Sequence, residues 1–131
     1  MQKHLVFVYG SLRAGSWYHS AYMLGADLLG RGRTVDKFAM YFSYVPYVYR
    51  HEQQSRITGE VYAVNGPGLR RLDELEDHPT VYRREEVEVE LDNGRRVTAW
   101  MYFYPERPGK LLPSGDFFDL GEEARRRMAE Q

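Results

Sequence analysis

Arg84-Glu85-Glu86-Val87-Glu88-Val89-Glu90-Leu91-Asp92-Asn93-Gly94-Arg95 decides the fold class. Val87, Val89 and Leu91 alternate with Glu86, Glu88 and Glu90, the two-residue period of a strand with one dry and one wet face. Asp92-Asn93-Gly94 follows, with the residue types that a tight hairpin turn needs. Arg95 to Tyr104 reads as the returning strand. The chain therefore contains an antiparallel hairpin.

Upstream, Arg56 to Val64 reads as another strand, with Ile57, Gly59, Val61 and Ala63 set against Thr58, Glu60, Tyr62 and Val64. Asn65-Gly66-Pro67 ends it and opens a helix, because Asn65 or Gly66 can cap and Pro67 suits a first turn. The helix is expected to run to about Asp77 and to stop before Pro79. Nearer the N-terminus, His4 to Tyr9 is a short apolar run of the kind buried on both faces of a sheet. A loop, Gly10 to Ser16, separates it from a short helix over Trp17 to Leu24, with Ser16 as candidate cap and Tyr18, Tyr22 and Met23 packed. Leu28 to Tyr49 is β-like but broken: Gly30 and Gly32 suggest bulges, Lys37 to Phe42 a strand, and Pro46 an interruption. Arg50 to Arg56 reads as a loop. Beyond Tyr104, Pro105, Pro108 and Pro113 predict irregular chain before a terminal helix over Glu122 to Glu130. Residues 1–131 thus read as a single α+β domain, a mixed and mainly antiparallel, barrel-like sheet with a few short helices.

The chain has 131 residues and no cysteine, which excludes disulfides, thiolate metal sites and a cysteine nucleophile. Eighteen basic residues face nineteen acidic ones, so no electrostatic case exists for nucleic acid or an anionic membrane as partner. No apolar run approaches the ~20 residues that span a bilayer, and the N-terminal run is too short for a signal peptide. These features favour a cytoplasmic protein. Oligomeric state is not legible, and a homodimer stays open. The eleven tyrosines read first as strand-packing residues and alternatively as the lining of a tyrosine-rich pocket.

One carboxylate stands apart. At about 100° per residue, with Leu69 at zero, Leu72 falls near ~300°, Leu75 near ~240° and Glu76 near ~340°. Glu76 points where the leucines point. Arg70, Arg71, Glu74 and Asp77 lie on the opposite side, at roughly 80–200°, and Asp73 sits at the margin near ~40°. A carboxylate so directed is costly unless it is paired or in a wet cavity, and desolvation raises its pKa toward the range useful for proton transfer. Glu76 is therefore the candidate acid/base. The structural alternatives are a satisfied glutamate, paired for instance with Arg84, or a frayed last turn that reaches water.

Tyr9-Gly10-Ser11-Leu12 lies where the first strand ends, and its backbone N–H groups can hold an anion or a developing oxyanion. It is no P-loop, because the glycine spacing and a following Lys-Ser or Lys-Thr are missing. Ser11 is either a turn hydroxyl or a nucleophile, although no G-x-S-x-G signature supports the latter. His4, His19, His51 and His78 have no metal-ligand spacing, and His78 reads as a surface turn residue.

Leu5-Val6-Phe7-Val8-Tyr9-Gly10-Ser11-Leu12-Arg13-Ala14-Gly15 resembles the VYGTLKxG signature of γ-glutamylamine cyclotransferases and related γ-glutamylcyclotransferase-like proteins. Gly59-Glu60-Val61-Tyr62-Ala63-Val64 is similar to that family's GEVYxV strand, Leu72-Asp73-Glu74-Leu75-Glu76 to its LDxxE helix end, and Tyr82-Arg83-Arg84-Glu85-Glu86-Val87 to its YxRxxV hairpin entry. The resemblance spans roughly residues 4 to 104. Ser11 stands where the family often has threonine, and Phe42 to Tyr49 keeps Pro46 without a glycine-rich lead.

The resemblance implies a compact barrel with a cavity, a γ-glutamyl group held by Tyr9, Gly10, Ser11 and Leu12, and Glu76 as general acid/base. The implied reaction is a transferase- or lyase-type cyclisation in which the α-amine attacks its own γ-carbonyl, releasing 5-oxoproline and an amine. It needs neither metal nor organic cofactor. Two rival readings remain: a binding module that keeps the cavity without turnover, and a serine hydrolase using Ser11.

Overall fold

A computed structural model describes residues 3–10, 12–16, 18–23 and 25–121. In chain order its elements are β1 (Lys3–Val8), α1 (His19–Tyr22), β2 (Asp27–Ser43), β3 (Val45–Tyr49), β4 (Ser55–Asn65), α2 (Gly66–Leu75), β5 (Arg83–Leu91), β6 (Arg96–Phe103), β7 (Lys110–Leu111) and a 3-10 turn (Phe117–Leu120).

The expected hairpin is β5 and β6, paired antiparallel from Arg83↔Phe103 to Glu90↔Arg96. Around it the strands run β2-β4-β1-β6-β5, and β5 returns to β2 through Gly32↔Leu91, Arg33↔Glu90 and Thr34↔Val89. The result is a closed five-stranded ring. Closure leaves no edge among those five strands. One contact in the ring is parallel, β1 with β6 at Val6↔Trp100, and the others are antiparallel. The fold is therefore mixed, mainly antiparallel and barrel-like, as the sequence implies. β3 and β7 pair with the second half of β2, outside the ring.

Alternation along each strand divides the core in two. Phe7, Ile57, Val61, Val89 and Met101 fill the ring's interior. Val6, Val8, Tyr62 and Val64 face outward and are covered by Leu69 and Leu72 of α2. β1 and β4 are thus buried on both faces, β1 as its unbroken apolar run implies.

Several expectations need correction. α2 ends at Leu75 and does not extend to Asp77; Glu76 is its C-cap, and Asp77 at φ 52° has left the helix. Its start is as read: the Asn65 side chain accepts from Gly68 N–H and Pro67 lies in the first turn. α1 covers only His19–Tyr22, and Ser16 contributes its carbonyl oxygen, not its side chain, to the turn before it; Trp17 and Leu24 lie outside the described residues. Met23 is buried and Tyr22 packs beside it, whereas Tyr18 is exposed. The broken segment is one 17-residue strand, β2, with register shifts at Leu28/Gly30 and Arg33/Lys37. Gly32 is no bulge. It is where β2 meets β5, and a Cβ there would sit 2.5 Å from the Glu90 carbonyl oxygen. Pro46 does not interrupt a strand either; it lies within β3 opposite Phe42, at the end of the strand order, where a missing N–H is tolerated. The irregular tail adds β7 and fully buried Phe117. The helix expected over Glu122 to Glu130 lies outside the described residues. Among the described residues no helix is long and apolar enough to cross a membrane.

Candidate active site

A cavity of about 370 Å³ opens where β1, β3, β6 and the end of α2 converge. Tyr9, Gly10 and Leu12 line it from the loop after β1, and Glu76 lines it from the end of α2. Four of the five candidate site residues therefore surround one space. The fifth, Ser11, lies outside the described residues.

The loop is fixed at each described position. Tyr9 is buried, and its hydroxyl donates to the Tyr102 carbonyl at 2.8 Å. Gly10 packs under the Pro46 ring so closely that a Cβ would lie 2.6 Å from Cγ. Its carbonyl accepts from Arg13 N–H, closing a turn. Leu12 is buried in the outer core. Arg13, only 2% exposed, then ties the loop to the barrel. Its Nε donates to Glu60 Oε2 at 3.3 Å, its guanidinium donates to Asp116 Oδ1 at 2.7 Å, and it lies 3.9 Å over the Phe118 ring. Glu60 also accepts from Ala14 N–H and the Tyr62 hydroxyl, both at 2.8 Å. A buried charge of this kind persists because it is paired and hydrogen-bonded.

Glu76 differs from these groups. Among the described residues no side chain hydrogen-bonds or ion-pairs with its carboxylate. Burial first, and the neighbouring Asp77 charge second, raise its pKa from 4.5 to about 7. Arg84, a candidate partner from the sequence, bonds Asp73 instead: Nε to Oδ1 at 2.8 Å and a second guanidinium nitrogen to Oδ2 at 3.2 Å. The Tyr102 hydroxyl adds a 2.6 Å bond to Asp73. Burial opposes the charge on Asp73, but the Arg84 and Tyr102 bonds outweigh it and hold the carboxyl below its usual range. His78 lies in the turn after α2, as its sequence reading has it; it is half-buried, and its Nδ1 accepts from Arg84 N–H at 3.1 Å. The two acids one helical turn apart thus have opposite environments. Asp73 is a fixed anion that pins α2 to β5 and β6, and Glu76 is a carboxyl that gains or loses a proton near neutrality.

The rest of the wall combines tyrosines with Phe7, Val8, Val45, Pro46, Leu75 and Val81. Tyr47 and Tyr82 lie nearly parallel, 6.2 Å between centroids, with Tyr104 at 4.6 Å from the first and 5.1 Å from the second. Burial first, then the Tyr9 and Glu76 charges, push the Tyr82 phenol above its ordinary value, so it stays protonated. Six of the eleven tyrosines line the cavity, which favours the pocket reading over simple strand packing. The sequence signal for them is proximity to the motifs: Tyr82 opens the hairpin entry, and Tyr47 follows Pro46. The roles of Arg13 and Asp116 carried no local signal, as their partners are 47 and 103 residues apart. Among the described residues no group of three or more His, Asp or Glu is placed to hold a metal ion.

Known proteins resemble this chain over most of its length. The profile of the family described as gamma-glutamyl cyclotransferase, AIG2-like, matches residues 6–119. A Methanocaldococcus jannaschii protein, provisionally named a gamma-glutamylcyclotransferase, is 50% identical over 114 residues, 87% of this chain and 95% of its own. The mouse gamma-glutamylaminecyclotransferase is 33% identical over 113 residues, 74% of this chain and 75% of its own. Among solved structures, a mouse AIG2-like protein superposes with a TM-score of 0.80 at 26% identity, over 94% of this chain and 93% of the other. An uncharacterised Pyrococcus horikoshii protein does so at 0.74 and 31%, over 94% and 97%.

Proposed function

Because the chain belongs to the gamma-glutamyl cyclotransferase, AIG2-like family, we propose that it cyclises γ-glutamyl amines or γ-glutamyl amino acids to 5-oxoproline, with Glu76 as general acid/base and Tyr9 to Leu12 as the γ-glutamyl seat. The observation that carries this reading is the shared cavity: a carboxyl near neutrality and the loop after β1 face the same space.

The reaction is internal to the substrate. The α-nitrogen attacks the γ-carbonyl carbon, one C–N bond forms, and the C–N bond to the departing amine breaks. Two protons leave the nitrogen that becomes the lactam N–H, and two reach the nitrogen that departs as an ammonium. No water or other co-reactant enters the balance. The substrate's own tether supplies proximity, so the protein must hold the bent conformer, move protons and stabilise the oxyanion. A carboxyl with a pKa of about 7 serves both proton steps, since neither of its forms is strongly preferred at neutral pH. Backbone N–H groups of the Gly10–Leu12 turn are the candidate oxyanion donors.

The test is Glu76→Gln, assayed for 5-oxoproline release from a panel of γ-glutamyl amides, with circular dichroism to establish folding. The expected result is a folded protein with turnover reduced at least a hundredfold. Turnover like that of the unmodified protein would remove Glu76 from the reaction.

A further inference from the structure

We propose that Tyr102 is a positioning residue for Glu76: its hydroxyl, bonded to Asp73, holds the turn that carries the acid/base, while its main-chain carbonyl holds Tyr9 on the opposite wall. This rests on the cyclotransferase reading above and concerns what places its proton-transferring group.

Glu76 occupies the C-cap of α2, where a helix runs out of its own hydrogen bonds. Two main-chain bonds close the turn there. Asp77 N–H donates to the Glu74 carbonyl at 3.2 Å, and His78 N–H donates to the Asp73 carbonyl at 2.9 Å, with Asp77 at φ 52°. This pair of bonds, with a positive φ between them, ends many helices. The turn that presents Glu76 therefore hangs on Asp73. Asp73 is itself fastened by its side chain, to Tyr102 on β6 and to Arg84 on β5. The Tyr102 bond is the shortest of the three, at 2.6 Å against 2.8 Å and 3.2 Å. Burial first, and then the Asp73 bond, push the Tyr102 phenol above its ordinary value, so it remains a donor at neutral pH.

Tyr102 also reaches the other wall. It is buried, it lines the cavity, and its carbonyl accepts from the Tyr9 hydroxyl at 2.8 Å. One residue of β6 thus sets the loop and the Glu76 turn relative to each other. A misplacement of ~1 Å costs on the order of a hundredfold in rate. Among the described residues, the titratable groups that line the space with Glu76 are the phenols of Tyr9, Tyr18, Tyr47, Tyr82, Tyr102 and Tyr104. Asp77 follows Glu76 in the chain, and Asp73, Arg84 and His78 form the bonded group beside the turn. Tyr102→Phe removes one hydroxyl from this set and no carboxylate or cation. It keeps the carbonyl that Tyr9 needs, and Asp73 keeps Arg84. Its effect falls on where Glu76 sits: a loosened turn admits water to that carboxyl and lowers its raised pKa.

The test is Tyr102→Phe, with urea unfolding to establish folding and 5-oxoproline release measured on a γ-glutamyl amide that the unmodified protein turns over. kcat should fall about tenfold or more, KM should stay within about twofold, and the acid midpoint of kcat/KM should move about half a pH unit or more toward acid. Tyr41→Phe removes a 2.7 Å tyrosine–carboxylate bond to Glu52, outside the cavity lining, and should move none of the three. In an Asp73→Ala background, Tyr102→Phe should cost less than about a further twofold in kcat, because the hydroxyl acts through Asp73. If Tyr102→Phe does not fold, Asp73→Ala should show the same loss of kcat at unchanged KM. An unchanged kcat, a loss confined to KM, an unmoved midpoint, the same shifts in Tyr41→Phe, or losses from Tyr102→Phe and Asp73→Ala that simply multiply would overturn the inference and leave the cyclotransferase reading intact. Unfolding of both variants would make Tyr102 purely structural and overturn it likewise. An unmodified protein that releases no 5-oxoproline from any γ-glutamyl amide tested would remove that reading and this inference with it.

Discussion

Replacing Glu76 by glutamine should make the protein more stable, relative to the unmodified chain, as pH rises. Glu76 ionises at about 7 in the folded state against 4.5 when unperturbed, chiefly because burial disfavours its charge. Between those values the folded form holds a proton that the unfolded form has released, so stability falls with rising pH, at ~1.4 kcal/mol per pH unit. Its full contribution is present below the unfolded pKa and is lost by the time pH exceeds the folded one. The whole window is worth about 3 kcal/mol, roughly 2.5 kcal/mol of it between pH 5 and pH 8. Glutamine keeps the shape and removes the titration, whereas the other acids, including Asp73, titrate alike in both proteins and cancel in the difference. The assay is urea unfolding of both proteins at several pH values across that range. Any constant offset from burying an amide is immaterial; the slope of the difference is the signal. Parallel stability curves, or a variant that loses ground as pH rises, would refute the burial argument for Glu76.

Other perturbations test neighbouring parts of the site. If ionised Glu76 starts the reaction, kcat/KM should fall about tenfold per pH unit below about pH 7. Asp77→Asn, which removes the second contributor to the raised pKa, should move that midpoint toward acid in a pH–rate profile. Arg84→Ala leaves Asp73 with Tyr102 alone and should cost about 2 kcal/mol in urea unfolding. Arg84→Lys should recover less than half of this, because an ammonium cannot reproduce the two-pronged bond. Gly32→Ala forces a methyl against the Glu90 carbonyl and should destabilise by about 1–3 kcal/mol, read as a drop of several degrees in Tm.

Local chemistry made much of the structure legible in the sequence. The valine–glutamate alternation and Asp92-Asn93-Gly94 specify β5 and β6, and the Asn65 cap with Pro67 specifies the start of α2. The helical angle of Glu76 anticipated the side chain that the cavity receives, although the helix ends one residue earlier. What escaped depends on distant pairing. Gly32 looks like a bulge until β5 lies against it. Asp73, marginal on a helical projection, gained Arg84 and Tyr102 only through the barrel's curvature. Pro46 reads as a break until β3 proves to be the end of the strand order, and Arg13, within a stretch that reads as a loop, has no visible partner until Asp116 returns to meet it.

The order of the ring also has a consequence for how the chain is made. β1 lies between β4 and β6, so the first strand synthesised waits for partners whose codons come much later. The loop that follows it is held by Tyr102 and Asp116, at sequence separations of 93 and 103 residues. Such long closures are slow, and they leave the early segment exposed while synthesis continues. A nascent chain halted before Asp116 has already emerged with Tyr9 and Leu12, yet lacks one of the carboxylates that seats them.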